Sequence, residues 1–284
     1  MATKAGRLTT ILKANRIWGI FVLLFLMVPL FALTIIENHG PKMQQQTLNN
    51  LSAVAKLKAY QIDNWLQDQK KAAKIVATND VLFDYVERLM RGIQTDHQKN
   101  RIAGLLEALQ QLYRFESVLL IRPDGGLLLE VGDPHGFNTP EIHKLLNRSL
   151  TERKIVQSDF DFTDSGHSHM DIMVPLVDRA NPQTPVVALV LLHIDPNHFI
   201  FPYLSQWPSA NQTSETLLVR QKGRFAEFVS PLKYSVNSDH PQLLQKRPMT
   251  QTTLPAVMAL KQHQSGVMKG LDYRGIPVLA AYTP

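Results

Sequence analysis

The hydrophobic pattern opens with twenty consecutive uncharged residues, 17–36, whose apolar mass comes from side chains such as Trp18, Phe21, Leu24, Phe25, Leu30 and Phe31. As a helix, this run is long enough to cross a hydrocarbon core of about 30 Å, and Pro29 within it is tolerable in lipid. Lys4, Arg7, Lys13 and Arg16 precede it and Glu37 follows it. That asymmetry predicts a cytoplasmic N-terminus and an extracytoplasmic remainder. The run exceeds the apolar stretch of a secretory signal, and Glu37-Asn38-His39-Gly40-Pro41 offers no small-x-small cleavage site, so it reads as an anchor.

Gly40-Pro41 predicts a break. Residues 42–77 then contain neither Gly nor Pro and carry Leu48, Leu51, Ala55, Ala59, Ile62, Leu66, Ala73 and Val76 at helical spacing. A helix of that span reaches about 54 Å, more than a small domain needs, and predicts a stalk leading away from the membrane. An ordinary amphipathic helix lying along one domain fits the same stripe, and Gln69 within it argues against a strict coiled coil. Shorter helices are expected at 80–91 and at about 99–115, separated by Gly92.

The texture then changes to strands. Apolar runs at 117–122 and 127–131 flank Pro123-Asp124-Gly125-Gly126, which supplies hairpin dihedrals. Thr139-Pro140-Glu141 reads as N-cap, first-turn proline and first-turn acid of a helix continuing through Leu150. Strands are expected at 154–162, 170–177 and 186–194. A weaker copy of this order of hairpin, helix and strands follows: strands at 215–220 and 225–229 around Gln221-Lys222-Gly223, a helix opened by Leu254-Pro255, and strands at 267–271 and 277–282. The copy lacks its third strand after the helix, which predicts a truncated second unit with an open sheet edge.

Composition narrows the classes. A chain of 284 residues, 44% hydrophobic and 19% charged, has room for about two folded domains beside the anchor. The net charge of +6 is largely the four basic residues before the apolar run; without them, 26 basic residues face 24 acidic ones, too even a balance for a nucleic-acid surface. The absence of cysteine excludes disulfides, thiolate nucleophiles, cysteine-ligated zinc, iron–sulfur clusters and covalently attached haem.

Several stretches carry a resemblance. They are His169-Met170-Asp171-Ile172-Met173-Val174-Pro175-Leu176, Leu192-His193-Ile194-Asp195-Pro196, Phe201-Pro202-Tyr203-Leu204 with Trp207-Pro208, Ser214-Glu215-Thr216-Leu217-Leu218-Val219-Arg220, and Gly270-Leu271-Asp272-Tyr273-Arg274-Gly275-Ile276-Pro277-Val278-Leu279-Ala280-Ala281. In these the chain resembles the double-Cache extracytoplasmic sensor regions of bacterial histidine kinases and diguanylate cyclases. The resemblance implies an α+β chain of two tandem PAS-like modules with antiparallel sheets, carried on the long helix. The expected layout is a cytoplasmic N-terminus at 1–16, a transmembrane helix at 17–36, a stalk at 37–78, a membrane-distal module at 79–198 and an incomplete membrane-proximal one at 199–284. It further implies a second transmembrane helix and a cytoplasmic output domain, neither found in the sequence, so any kinase or cyclase activity would belong to a longer parent. The implied function is a ligand-sensing input region at the inner membrane, with a small-molecule ligand and a homodimer in the full-length form.

The distal module is expected to hold the ligand. His167, His169 and Asp171 alternate along one strand and share a face, which suits either a transition metal or, the preferred reading, His169 and Asp171 orienting an organic ligand. Arg122 at a strand end could clamp a carboxylate or be a solvated end. Tyr113 and Asp159 are candidates for lining the same cavity, Tyr113 also fitting its helix core. Trp207-Pro208 is expected to pack between the modules, and Asp272-Tyr273-Arg274-Gly275 to form a plain hairpin turn. No cofactor and no metal are expected. A membrane-anchored enzyme using Ser165, or a protein-docking module, are the competing functions; the familiar nucleophile, zinc and phosphate-loop motifs are missing.

Overall fold

A computed structural model describes residues 3–93, 96–133, 139–162, 168–181, 183–208, 213–234 and 245–284, with the backbone alone at 3–17, 19–22, 32–38 and 162. One helix, α1 (Thr3–Ala77), runs through both Pro29 and Pro41. The break expected at Gly40-Pro41 does not occur. A proline disfavours helical backbone at the preceding residue largely through contact with its Cβ. Gly40 has no Cβ, and one built there would meet nothing within 4 Å. Among the described residues no helix is long and apolar enough to cross a membrane. The expected span at 17–36 lies partly outside them, since the side chains at 17, 19–22 and 32–36 are not described.

Helices α2 (Asp80–Met90) and α3 (Asp96–Tyr113) follow. Asn79 starts α2 by accepting the Leu82 amide at 2.9 Å. Strands β1 (Ser117–Ile121) and β2 (Leu127–Gly132) form the expected hairpin, closed by Gly125 in the left-handed region at φ 90°. Helix α4 (Pro140–Glu152) begins where expected, Thr139 capping the Ile142 amide. The next strand arrives in two pieces, β3 (Val156–Gln157) and β4 (Asp161–Phe162). The reason lies in the register: Gln157 faces Ile172 and Asp161 faces His169, so one extra residue intrudes as a bulge. Ser158 bridges the gap, its amide donating to the Asp171 carbonyl and its hydroxyl accepting the Asp171 amide, both at 2.8 Å.

With β5 (Ser168–Leu176) and β6 (Ala188–Ile194) these strands build an antiparallel sheet of order β2-β1-β6-β5-β3, β4 pairing with β5. Both faces of β1, β5 and β6 are buried, which explains why these strands read as apolar runs rather than alternations. One face carries Val118, Leu120, Ile172 and Val190 against Ala72, Ala73 and Val76 of α1, Leu82 of α2 and Leu106 of α3. The other carries Leu119, Met173, Leu189 and Leu191 against Ile142, Leu145 and Leu146 of α4. Each fully buried side chain of this size contributes about 1.5–3 kcal/mol.

A single 3-10 turn and the short helix α5 (Ile200–Ser205), unforeseen because Pro202 reads as a breaker, lead to the remaining strands. Strands β7 (Val219–Lys222), β8 (Phe225–Phe228) and β9 (Lys246–Pro248) form one sheet, and β10 (Gly266–Leu271) and β11 (Pro277–Tyr282) another, with α6 (Pro255–Gln262) between them in sequence. The β7–β8 hairpin turns later than expected, at Gly223-Arg224, because Lys222 still pairs with Phe225 and Gly223 takes φ 60°. Strand β9, Lys-Arg-Pro, has no apolar alternation to betray it.

Several polar joints hold this half, Tyr273 and Lys58 making two of them. Tyr273, in the β10–β11 turn, is more than a turn residue: its ring is buried against Phe228, and its hydroxyl donates to Glu215 and accepts the Tyr234 amide at 3.2 Å. Burial pushes its phenol up to about 12. The second joint is Lys58 of α1, whose buried ammonium donates to the carbonyls of Leu204 and Gln206, both at 2.6 Å, and of Tyr203 at 3.3 Å. These are the free carbonyls at the C-terminal end of α5, where positive charge is favourable. Trp207 lies beside it, its ring centre 5.3 Å from the ammonium. Burial lowers the Lys58 pKa.

Lys58→Met is expected to destabilise the chain by about 2 kcal/mol, because three carbonyls lose a charged donor, read as a lower denaturation midpoint. Tyr273→Phe is expected to cost about 1–2 kcal/mol in the same assay. Because folding raises the Tyr273 pKa, its contribution is full below pH 10 and is lost as the pH rises towards about 12. Ultraviolet phenolate absorbance of the folded chain should therefore show one late-titrating tyrosine, absent in Tyr273→Phe.

Candidate functional site

Antiparallel register places three polar residues in a line across the central strands. Ser117 of β1 faces His193 of β6, and His193 faces Asp171 of β5. By strand alternation all three share the face of Leu119, Leu191 and Met173, the side covered by α4. His169, two residues before Asp171, lies on the same side. Asp171, His193 and His169 are only 2%, 3% and 4% exposed.

His193 is the hub. Its Nδ1 lies 2.6 Å from Asp171 Oδ1, and its Nε2 lies 3.4 Å from Glu116 Oε2. A neutral imidazole has one donor nitrogen, so two carboxylate partners favour the doubly protonated ring. Burial works against that charge, but the Asp171 hydrogen bond and the carboxylates of Asp171, Glu116 and Asp195 outweigh it, and the His193 pKa is raised. The second Asp171 oxygen lies 3.5 Å from His169 Nε2, and the two imidazoles stack with centroids 5.2 Å apart.

Two atoms of the row remain unspent. His169 Nδ1 and Ser117 Oγ are buried without a hydrogen-bond partner. Leaving such groups unpaired costs about 1–3 kcal/mol each, which a hydrogen-bonding group reaching them would recover. The Ser158 bulge borders the row, since its hydroxyl fixes the Asp171 amide. Among the described residues no three His, Cys, Asp or Glu side chains are arranged to hold a metal.

Of the candidates read from the sequence, the structure brings His169 and Asp171 together and leaves the others elsewhere. Arg122 follows the opposite end of β1, paired with Asp124 at 3.2 Å in the hairpin turn and half exposed. Tyr113 packs with the core on the helix-covered face, beside Phe115. Asp159 is exposed. His167 and Ser165 lie outside the described residues. His193 and Glu116 were not singled out as site residues. Pairing β5 with β6 and counting alternation would have found His193; Glu116 sits just before its strand and gives no periodic signal.

No family model and no curated protein match the chain. Among solved structures, it is similar to the ligand-binding domain of the Pseudomonas fluorescens chemoreceptor CtaA in complex with L-isoleucine, at 12% identity and a TM-score of 0.48, over 84% of this chain and 85% of that one. It is also similar to the ligand-binding domain of the Campylobacter jejuni chemoreceptor Tlp3 in complex with L-norvaline, at 8% identity and a TM-score of 0.44, over 66% and 86%. An extracellular ligand-binding receptor from Desulfohalobium retbaense matches at 14% and 0.47, over 81% of this chain and 37% of that one. At such values the likeness assigns neither ligand nor residue roles.

The raised His193 pKa stabilises the fold fully below the unfolded value of 6.5, and that contribution is lost as the pH rises through the folded value. Unfolding free energy should therefore fall above pH 6.5, with an imidazole resonance titrating late by NMR. Asp171→Asn should cost about 3–5 kcal/mol and move that titration to lower pH.

Proposed function

We propose that this chain is the extracytoplasmic ligand-sensing input region of a membrane-bound signalling receptor. The observation that carries the reading is the division of labour along α1. At one end Trp18, Phe25 and Phe31 are 72%, 81% and 69% exposed, and the side chains between Leu23 and Phe31 are exposed with them. An uninterrupted apolar belt of this kind is stable in lipid and costly in water. Further along, the same helix packs against β5 and against β10 and β11. One continuous helix thus joins a bilayer-suited surface to both folded regions. In this reading residues 17–36 span the inner membrane, 79–198 form the distal PAS-like module and 199–284 the proximal one.

A sensor must bind its ligand differently in two states, or nothing is transmitted. The polar row lies on β5 and β6, whose opposite face carries the Ala72, Ala73 and Val76 strip of α1. A ligand drawing on His169 Nδ1 and Ser117 Oγ would tighten those strands and alter how α1 seats on them. Exposed Met43, Leu57, Tyr60 and Ile75 on α1 support a homodimer through that helix. We assign no catalytic step to these residues; the output would be a histidine kinase or diguanylate cyclase activity of the parent.

Topology is testable because the chain has no cysteine of its own. Gln46→Cys in intact cells is expected to react with a membrane-impermeant maleimide, and Thr9→Cys only after lysis; the reverse pattern would refute the orientation. For sensing, the whole chain in lipid nanodiscs would be melted against organic acids, amino acids and divalent metals. A ligand at 100 times its Kd should add about 2.7 kcal/mol of stability. That shift should vanish in His169→Ala and Asp171→Asn. A folded chain that no compound stabilises would point to sensing through a partner protein.

A further inference from the structure

A cleft of about 350 Å³ opens on the face of the distal sheet that α1, α2 and α3 cover, opposite the polar row, between α1, the end of α3 and the turn after β6. Gln69 lines it. This residue interrupts the apolar stripe of α1, is 5% exposed, and its Oε1 is buried with no hydrogen-bond partner. An amide oxygen kept dry and unpaired is costly unless a donor meets it. The cleft also has aromatic walls, from Trp65 and Phe199, stacked at 5.7 Å, and from Tyr113.

We infer that this cleft binds a small organic cation, a protonated primary amine on an aromatic or branched apolar body. Three further features favour positive charge. Asp195 lines the cleft, with Asn197 bonded to its Oδ1 only. Helix α3 ends at its edge, at Tyr113, with no basic residue in its last turn to offset the negative end of the helix dipole. Aromatic faces attract ammonium groups. The cations present do not cancel this. Lys71 is held by Asp68 at 2.8 Å, and Arg114 is an exposed residue at the edge, past the end of α3. His198, the remaining basic group of the lining, is largely exposed and lies 3.9 Å from Asp195. The buried polar atom is an acceptor, which an ammonium satisfies and a carboxylate does not.

Calorimetric titration of the whole chain in nanodiscs tests this with three probes: phenethylamine, phenethyl alcohol and phenylalanine. Phenethylamine is expected to bind saturably and at least about tenfold tighter than the neutral alcohol or the zwitterion. Gln69→Leu should weaken it about tenfold or more, whereas Gln69→Glu, nearly the same shape with a stronger acceptor, should hold or tighten binding. Asp171→Asn should leave it unchanged, which separates this cleft from the buried polar row. No saturable binding, equal affinity for alcohol, zwitterion and amine, indifference to Gln69→Leu, weakening by Gln69→Glu, or loss only in Asp171→Asn would each overturn the assignment.

Discussion

The close approach of α1 to the central sheet is the constraint on which the rest of the molecule depends. It is made by two alanines and a valine, Ala72, Ala73 and Val76, all essentially inaccessible to solvent. Small side chains bring the helix backbone near β5, and the larger residues of α2 and α3 fill the space on either side. Core packing of this density tolerates few intermediate arrangements, so a change in the strands has to be met by a discrete readjustment of the helix. The helix is in turn fixed lower down by Lys58 and by its contacts with the β10–β11 hairpin.

The polar row is an exception inside an apolar sheet. Burying two histidines and an aspartate is tolerable only because each Asp171 oxygen finds an imidazole and because Glu116 reaches the second nitrogen of the hub. Its charge state and its packing are therefore one problem. Whatever alters the protonation of His193 alters the cohesion of three adjacent strands, and whatever separates the strands alters the protonation. A bulge beside it keeps the neighbouring strand from closing into a regular ladder, so the sheet is least uniform where its polar groups are concentrated.

Much of this was legible in the sequence because its causes are local. Thr139-Pro140 and Leu254-Pro255 start helices where they were expected, and the two glycine turns at Gly125 and Gly275 close the hairpins they announce. The pairing of His169 with Asp171 followed from strand alternation alone. What escaped depends on distant partners. The missing break at Gly40-Pro41 is a local exception, since Gly40 lacks the Cβ that the proline would contact. The split of β3 from β4 arises from Ser158 meeting Asp171 across the sheet, and Tyr273 is buried only because Glu215 and Tyr234 come to it. Arg122, Tyr113 and Asp159 were grouped by an implied cavity, and their positions on separate faces and ends could not be read without the register.

The Lys58 joint has a consequence for how such a chain can diverge over time. Lys58 recognises main-chain oxygens of α5 and its C-terminal flank, not their side chains. The grip is thus indifferent to which residues occupy the exposed positions of that connector, provided the backbone keeps its turn. Selection can rewrite the exposed positions of the connector while the attachment persists, whereas Ile200, Phe201 and Leu204 are held by their burial against Ile62 and Trp65, so kinship among chains built this way is better sought in a buried lysine on a long helix than in the exposed residues of the segment it holds.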